Sequence, residues 1–435
     1  MAGGFFLFLK SKVYFRPPAI LKMIKLVPFQ AVRPARDKAH LVASRSYVTY
    51  TLAALKRKLT ENPYSFIHII NPEFASGETI KKNSPLRFKK VRERYLTFLE
   101  ERVLRRDDRK SFYLYEQSTP TSSFTGIIGG VSTLDYKKGS IRKHEQTLTK
   151  REKMFCDYLD VCGFNAEPVL LTYPENISTI DAFKATKKLE RPEYEFATTD
   201  KTIHRMWVIS EKEDITRLQS AFEKVDALYI ADGHHRMASS ALLAEKKSGE
   251  NPNHKGTEEY NFTMALIMPG EMLKISPFHR LIGNQYNMTD TELLNSISEK
   301  YEIKKASNTT LPDSKRQFGL RLRSGWYELT LKSFEGDNTA RCHLDAVILT
   351  NTILEPIFEI FDQKTDKRIQ FIPGNMNLSS YEKAIERGQH KALFTLSSVS
   401  SQELYAISDE GSTMPPKTTF IEPKLRSGLT IMNLK

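Results

Sequence analysis

Apolar runs rich in Val, Ile, Phe and Tyr recur along the chain, and between them the apolar residues fall at helical spacing. Runs bounded by Gly, Pro, Asn or Ser predict strands at 66–70, 111–115, 124–134, 168–172, 227–231, 261–268, 326–331 and 391–396. The clearest helix opens at Ser84-Pro85, an N-cap followed by a proline at a position whose missing N–H costs nothing. Leu86, Phe88, Val91, Tyr95, Leu99 and Val103 give it an apolar stripe that runs to about Asp108. Its Lys and Arg residues share their face with Glu93, Glu100 and Glu101, the pattern of a solvated surface and not of a nucleic-acid-binding helix. Polar stretches at 246–259 and 307–316 read as surface loops, and no internal repeat is present. The alternation predicts a mixed α/β (α+β) fold with an N-terminal α/β region at 23–225 and a C-terminal one at 226–435.

Composition narrows this picture. With 435 residues and 40% hydrophobic content, the chain can bury one large core or two packed ones. The net charge of +13 favours polyanionic partners, which include phosphates of any kind. Cys156, Cys162 and Cys342 are an odd set without CxxC spacing, so neither a disulfide framework nor a zinc ribbon is expected, and a reducing, cytoplasmic setting fits. No apolar run reaches the length that spans a bilayer, so no membrane role is expected. Residues 1–22 contain no acid and carry Lys10, Lys12, Arg16 and Lys22. They read as an extension or an early-assigned start, with Met23 as the true one, and a transit peptide is the other reading.

The chemistry concentrates in Asp232-Gly233-His234-His235-Arg236, which joins a buried strand at 227–231 to a helix at 237–247. The first N–H groups of a helix lack intrahelical partners, and the dipole there favours an anion by about 0.3–1 kcal/mol. Gly233 permits close backbone approach, His234, His235 and Arg236 offer donors, and Asp232 could hold Mg²⁺ or orient a histidine. The alternative is a plain turn in which Asp232 caps the helix and the histidines are incidental. Two adjacent histidines point in different directions, so zinc is disfavoured.

Three weaker constellations accompany this segment. His144-Glu145, after a turn at 137–140, could transfer a proton, and Arg151 could clamp a phosphate; surface ion pairing is the competing reading. Pro277-Phe278-His279-Arg280 and Met414-Pro415-Pro416-Lys417, with Glu422-Pro423-Lys424-Leu425-Arg426-Ser427-Gly428, put basic side chains in segments that read as rigid loops. The GxxxxGK[ST], GxGxxG and kinase catalytic-loop patterns are absent; Gly126, Gly129 and Gly130 lie in a strand-like run without the lysine of a phosphate loop.

Taken together, these motifs resemble the family catalogued as domain of unknown function 1015, over roughly residues 25–432. The resemblance rests on Leu26-Val27-Pro28-Phe29 with Val32-Arg33-Pro34, Asn62-Pro63 with Ser65-Phe66, and Asp135-Tyr136 leading to His144-Glu145, Thr147 and Arg151. It continues through Asp232–Arg236, His279-Arg280, Thr365-Asp366-Lys367-Arg368-Ile369 and the two C-terminal motifs. The resemblance implies a ParB/sulfiredoxin-like core with large N- and C-terminal elaborations. It also implies a pyrophosphate-dependent kinase that converts L-serine to O-phospho-L-serine with Mg²⁺. In that frame Glu145, His144 and Asp232 are the catalytic candidates, with Asp232 also the metal ligand. Gly233, His234, His235, Arg236, Arg151, Arg280 and Lys417 are the phosphate-binding ones. One departure stands out: where many members read Val-Ala-x-Pro-Pro-Tyr-Asp, this chain has Val42-Ala43-Ser44-Arg45-Ser46-Tyr47-Val48, which bears on the acceptor. Two competing functions use the same turn: a ParB-like nucleotide- or nucleic-acid-binding protein, for which the expected helix-turn-helix or basic arm is not seen, and a phosphatase or phosphate-binding regulator.

Overall fold

The computed structural model describes residues 23–45, 50–77, 80–174 and 176–435. The extension read at 1–22, and residues 46–48 of the departing segment, lie outside the described residues. Three sheets organise the described residues, and the fold is mixed α and β.

The nine-stranded sheet runs in the order Ile141–Arg142, Leu228–Asp232, Val169–Tyr173, Phe262–Pro269, Ser123–Ser132, Phe112–Ser118, Ile203–Ile209 and Tyr194–Ala197, with Leu26–Val27 against Ser123–Ser132. It therefore draws strands from both sides of residue 225. Two pairings are parallel, Ile141–Arg142 with Leu228–Asp232 and Val169–Tyr173 with Phe262–Pro269; the others are antiparallel. The central strands are buried on both faces, which is why they read as continuous apolar runs and not as alternating ones. Phe112, Leu114, Ile127 and Ile267 face one core with Ile180, Phe183, Leu218, Phe222 and Met237 from covering helices. Tyr113, Ile128, Met264 and Leu266 face another, closed by Val347, Leu404 and Ile407. Gly126 and Gly129 keep these layers close, since a Cβ on Gly126 would meet the Ile267 carbonyl oxygen at 2.6 Å and one on Gly129 would meet Leu26 at 2.8 Å. Close packing accounts for these glycines.

The seven-stranded sheet runs Tyr301–Ala306, Gly325–Leu331, Gln317–Leu322, His390–Thr395, Lys274–Gly283 and Ile369–Pro373, and Thr419–Glu422 joins the first half of Lys274–Gly283. A four-stranded antiparallel sheet joins Leu104–Arg106, Ala31–Pro34, Ile431–Asn433 and Phe164–Asn165, so the C-terminal strand locks against the N-terminal region.

Several sequence expectations need correction. The run at 66–70 forms a short helix, Ile67–Ile70, not a strand: it is buried on all sides and so carries no periodic signal, and Ser65 and His68 tie it to local backbone. The helix that begins at Ser84 ends at Glu100, because Val103 and Leu104 are buried where Leu104–Arg106 pairs with Ala31–Pro34. The helix after the turn is longer than expected, His234–Glu250, and takes the first part of the predicted 246–259 loop. Pro277-Phe278-His279-Arg280 is not a loop but the middle of the strand Lys274–Gly283. Pro277 sits where that strand changes neighbours, from Thr419–Glu422 to Ile369–Pro373, the kind of place that tolerates a missing donor. Among the described residues no helix is long and apolar enough to cross a membrane.

Candidate functional site

Strand register assembles the site. Parallel pairing sets Leu228 beside Ile141 and Tyr229 beside Arg142, so extending it carries His144 and Glu145 to the end of Leu228–Asp232. Antiparallel pairing of Asp232 with Leu170 brings Glu167 and Pro168 to the same end from the other side. At that end Gly233 adopts φ +97°, and the 17-residue helix His234–Glu250 begins without a side-chain cap. Its first N–H groups are thus left for another acceptor. The alternative of an Asp232 cap is not what forms, because Asp232 turns to Arg236 at 3.3 Å and Lys424 at 3.6 Å.

Arg236 folds back over the turn. Its Nη1 donates to the Pro168 carbonyl at 2.7 Å and pairs with Glu167 at 2.6 Å. A Cβ on Gly233 would lie 2.9 Å from two of its guanidinium nitrogens, so glycine is needed both for the backbone angle and for the arginine's seat.

His234 is buried, and its Nδ1 lies 3.3 Å from Glu145 Oε2. Its Nε2 is buried without a partner. His144 packs edge-on against the His234 ring, 4.5 Å between centroids. Burial, then the His234 charge, push His144 well below the usual histidine range, against a hydrogen bond to the backbone of Ile230, and His144 is neutral. The His234 hydrogen bond, the largest cause, and then the Lys417 charge among others hold the Glu145 carboxyl down at about 2 against the effect of burial. Such a carboxylate is a weak proton acceptor, and its 3.3 Å contact lies where it can orient the His234 ring. Burial and the Arg151 charge both lower His235.

The C-terminal motifs reach the same place. The Met414 N–H donates to the His144 carbonyl at 2.9 Å, and Lys417, in a left-handed conformation at φ +53°, lies 5.3 Å over the Phe278 ring. Arg151, at the start of the helix Thr149–Cys162, is exposed with its guanidinium near the Phe155 ring. Arg280 lies within the seven-stranded sheet, 1% exposed, against the Phe371 ring and the Phe278 carbonyl, and burial pushes it down to about 9.

Among the described residues no group of three or more His, Cys, Asp and Glu side chains converges as a metal cage. Each Asp232 oxygen already faces a cation, so the expected Mg²⁺ ligand does not fit a resident metal site. Sequence reasoning also missed Glu167. It lies 65 positions before Asp232, and only the antiparallel register of their strands brings it in.

The sequence profile of the family described as "Protein of unknown function (DUF1015)" matches residues 26–352. No curated protein matches the chain by sequence. Solved structures that align with it include a free serine kinase in complex with AMP, at 13% identity and TM-score 0.32, covering 68% of this chain and 88% of that one. SbnI with C-terminal truncation from Staphylococcus aureus aligns at 10% identity and TM-score 0.36, covering 68% and 82%. A conserved hypothetical protein from Pyrococcus furiosus aligns at 13% and 0.31, covering 66% and 88%. These scores are too low to say anything of this chain's chemistry.

Proposed function

The chain belongs to the DUF1015 family, and we propose that it is a phosphotransferase that makes O-phospho-L-serine from L-serine, with pyrophosphate as donor. The observation that carries this reading is the meeting of an uncapped helix start, Arg236 and the Glu145–His234 pair at one strand end. Phosphoryl transfer needs positioning and charge neutralisation more than covalent help from the protein. The N–H groups that follow Gly233, with Arg236, His235 and Lys417, neutralise the donor. Mg²⁺ enters with pyrophosphate as part of the substrate.

The serine hydroxyl oxygen attacks one phosphorus, the bond from that phosphorus to the bridging oxygen breaks, and inorganic phosphate leaves. The hydroxyl proton passes to His234 Nε2, while Glu145 holds Nδ1–H and the imidazolium that forms. His144, neutral and buried, fixes the His234 ring edge. Pyrophosphate has no base to recognise, which suits a site built from charges.

The test is purified protein with Mg²⁺ and L-serine, assayed for phosphoserine with pyrophosphate, ADP and ATP in parallel. Product with pyrophosphate alone is the expected result. Product with a nucleotide alone would replace the donor, and no product with any donor would overturn the reading.

A further inference from the structure

The turn at 232–236 has two flanks, and they carry different chemistry. The strand Leu228–Asp232 lies between Ile141–Arg142 and Val169–Tyr173. Neighbouring strands are about 4.8 Å apart, so the two flanking strands stand on the order of 10 Å apart across the turn. On the first flank is Glu145 with, 3.3 Å from it, His234, which is 4% exposed and whose Nε2 is buried without a partner. A buried nitrogen in that state is open to a ligand. On the second flank are Glu167 and Arg236, paired at 2.6 Å, with Asp232 3.3 Å from Arg236.

Two lysines from the far side of the site reach these flanks separately. Phe278 and Phe420 stand edge-on, 5.8 Å between ring centroids, where Lys274–Gly283 pairs with Thr419–Glu422. Lys417 lies 5.3 Å over the first ring and Lys424 4.8 Å over the second. The segment that leads to Lys417 is bonded to the first flank, through the Met414 N–H and the His144 carbonyl. Lys424 belongs to the second flank: its ammonium is 3.6 Å from Asp232 Oδ1, while Arg236 faces Oδ2. Lys424 and Arg236 thus share one carboxylate. The lysine's contact is long and both of its side chains are roughly half-exposed, so it holds Lys424 weakly and a phosphate can take the ammonium from it.

In an in-line displacement the attacking and leaving oxygens lie on opposite sides of phosphorus. A hydroxyl that gives its proton to His234 approaches from the first flank, so the leaving phosphate points to the second. As the bond from the serine oxygen to phosphorus forms, the bond from phosphorus to the bridging oxygen breaks and its electron pair stays on the leaving phosphate. Charge grows there, on the side of Arg236 and Lys424. A cation aimed at developing charge acts more on the transition state than on the bound donor.

We propose that pyrophosphate lies across the turn with its leaving phosphate between Arg236 and Lys424, and that Lys424 is a catalytic residue that exchanges Asp232 for that phosphate. The inference rests on the phosphotransferase reading above. It adds a direction to that reading, with attack on the His234 side and departure on the Lys424 side.

The test uses the full chain, Lys424→Met, Lys424→Arg and Asp232→Asn, each first checked for an unchanged melting transition. Methionine keeps an apolar stem over Phe420, and the lysine is half-exposed, so the fold should hold. Inorganic phosphate is titrated by calorimetry, with Mg²⁺ present, into each protein saturated with O-phospho-L-serine, which leaves open the position of the leaving group. Lys424→Met should bind phosphate about ten-fold or more weakly, the loss of one charge-assisted contact. Its kcat for phosphoserine formation should fall by a similar factor with the KM for L-serine unchanged. Lys424→Arg keeps the charge and should restore most of both. Asp232→Asn breaks the same ion pair from the other side and should not weaken phosphate binding.

Phosphate binding that is unchanged in Lys424→Met, or that falls equally in Asp232→Asn, would overturn the inference. The first result would leave the leaving phosphate without this lysine, and the second would make the ion pair a structural contact only. Wild-type protein that makes phosphoserine in either case leaves the phosphotransferase reading intact. Wild-type protein that makes no phosphoserine from pyrophosphate would overturn both.

Discussion

Gly233→Ala perturbs the turn at the point where backbone and arginine depend on each other. At φ +97° an L-residue is strained by about 1–3 kcal/mol. The smaller entropy of an unfolded alanine gives back about 0.4–1 kcal/mol. The new Cβ would also stand 2.9 Å from the Arg236 guanidinium, which must move and lose its 3.3 Å contact to Asp232 or its 2.7 Å bond to the Pro168 carbonyl. One such bond contributes about 1–2 kcal/mol net. The expected loss is about 2–4 kcal/mol in all, read from the midpoint of urea denaturation with the slope unchanged. Arg236→Ala removes the clash partner, so Gly233→Ala made in that background should cost only the net backbone strain, about 1–2 kcal/mol. Displacement of a positioning group by about 1 Å costs on the order of 100-fold in rate, so phosphoserine formation should fall more than stability explains. Gly233→Ala with wild-type stability, or with the same cost in both backgrounds, would refute the argument that the arginine sits on the glycine.

Further outcomes follow from other residues. Glu145, held at about 2 against its ordinary 4.5, stabilises the fold above the higher value and loses that contribution as pH falls through the lower one. The stability difference between wild type and Glu145→Gln, small because the carboxylate is half-exposed and screened, should shrink from pH 5 towards pH 2; a difference that does not change with pH removes the His234 pairing. Arg280 is buried with no acid paired to it among the described residues and is pushed down to about 9, so its charge opposes folding at neutral pH. Arg280→Met should raise ligand-free stability by about 1–4 kcal/mol in urea denaturation, and a loss would show that the guanidinium is held by contacts that matter to the fold. A chain beginning at Met23 should fold and turn over normally, whereas one beginning at Val27 should melt lower because Ile24 and Leu26 are buried in the core; a lower melting point for the first chain would show that residues 1–22 belong to the fold.

The residues explain what could be read before the structure. The central strands of the nine-stranded sheet were legible because burial on both faces demands unbroken apolar runs, as in Ala227-Leu228-Tyr229-Ile230-Ala231. The helix after Gly233 was legible because Ala, Leu, Glu and Lys follow a turn signal directly. Short strands such as Leu104–Arg106 and Ile431–Asn433 were not, since pairing with distant partners, and not local pattern, makes them strands. The same limit hid part of the site. His144, Glu145 and Lys417 carry donor chemistry in recognisable motifs, but Glu167 is an ordinary surface-type acid whose importance lies in its arginine partner. Glu145 reads in the sequence as a proton-transfer candidate, and the low proton affinity of its carboxylate depends on a 3.3 Å contact that no spacing rule contains.

Titration of Mg²⁺-pyrophosphate into wild type and Arg236→Ala by calorimetry measures directly whether the turn at 232–236 holds the donor phosphates. With circular dichroism and the melting transition showing both proteins folded, the variant should bind about ten-fold or more weakly, the loss of a charge-assisted pair. Equal affinity in two folded proteins would place the phosphates elsewhere and contradict the account.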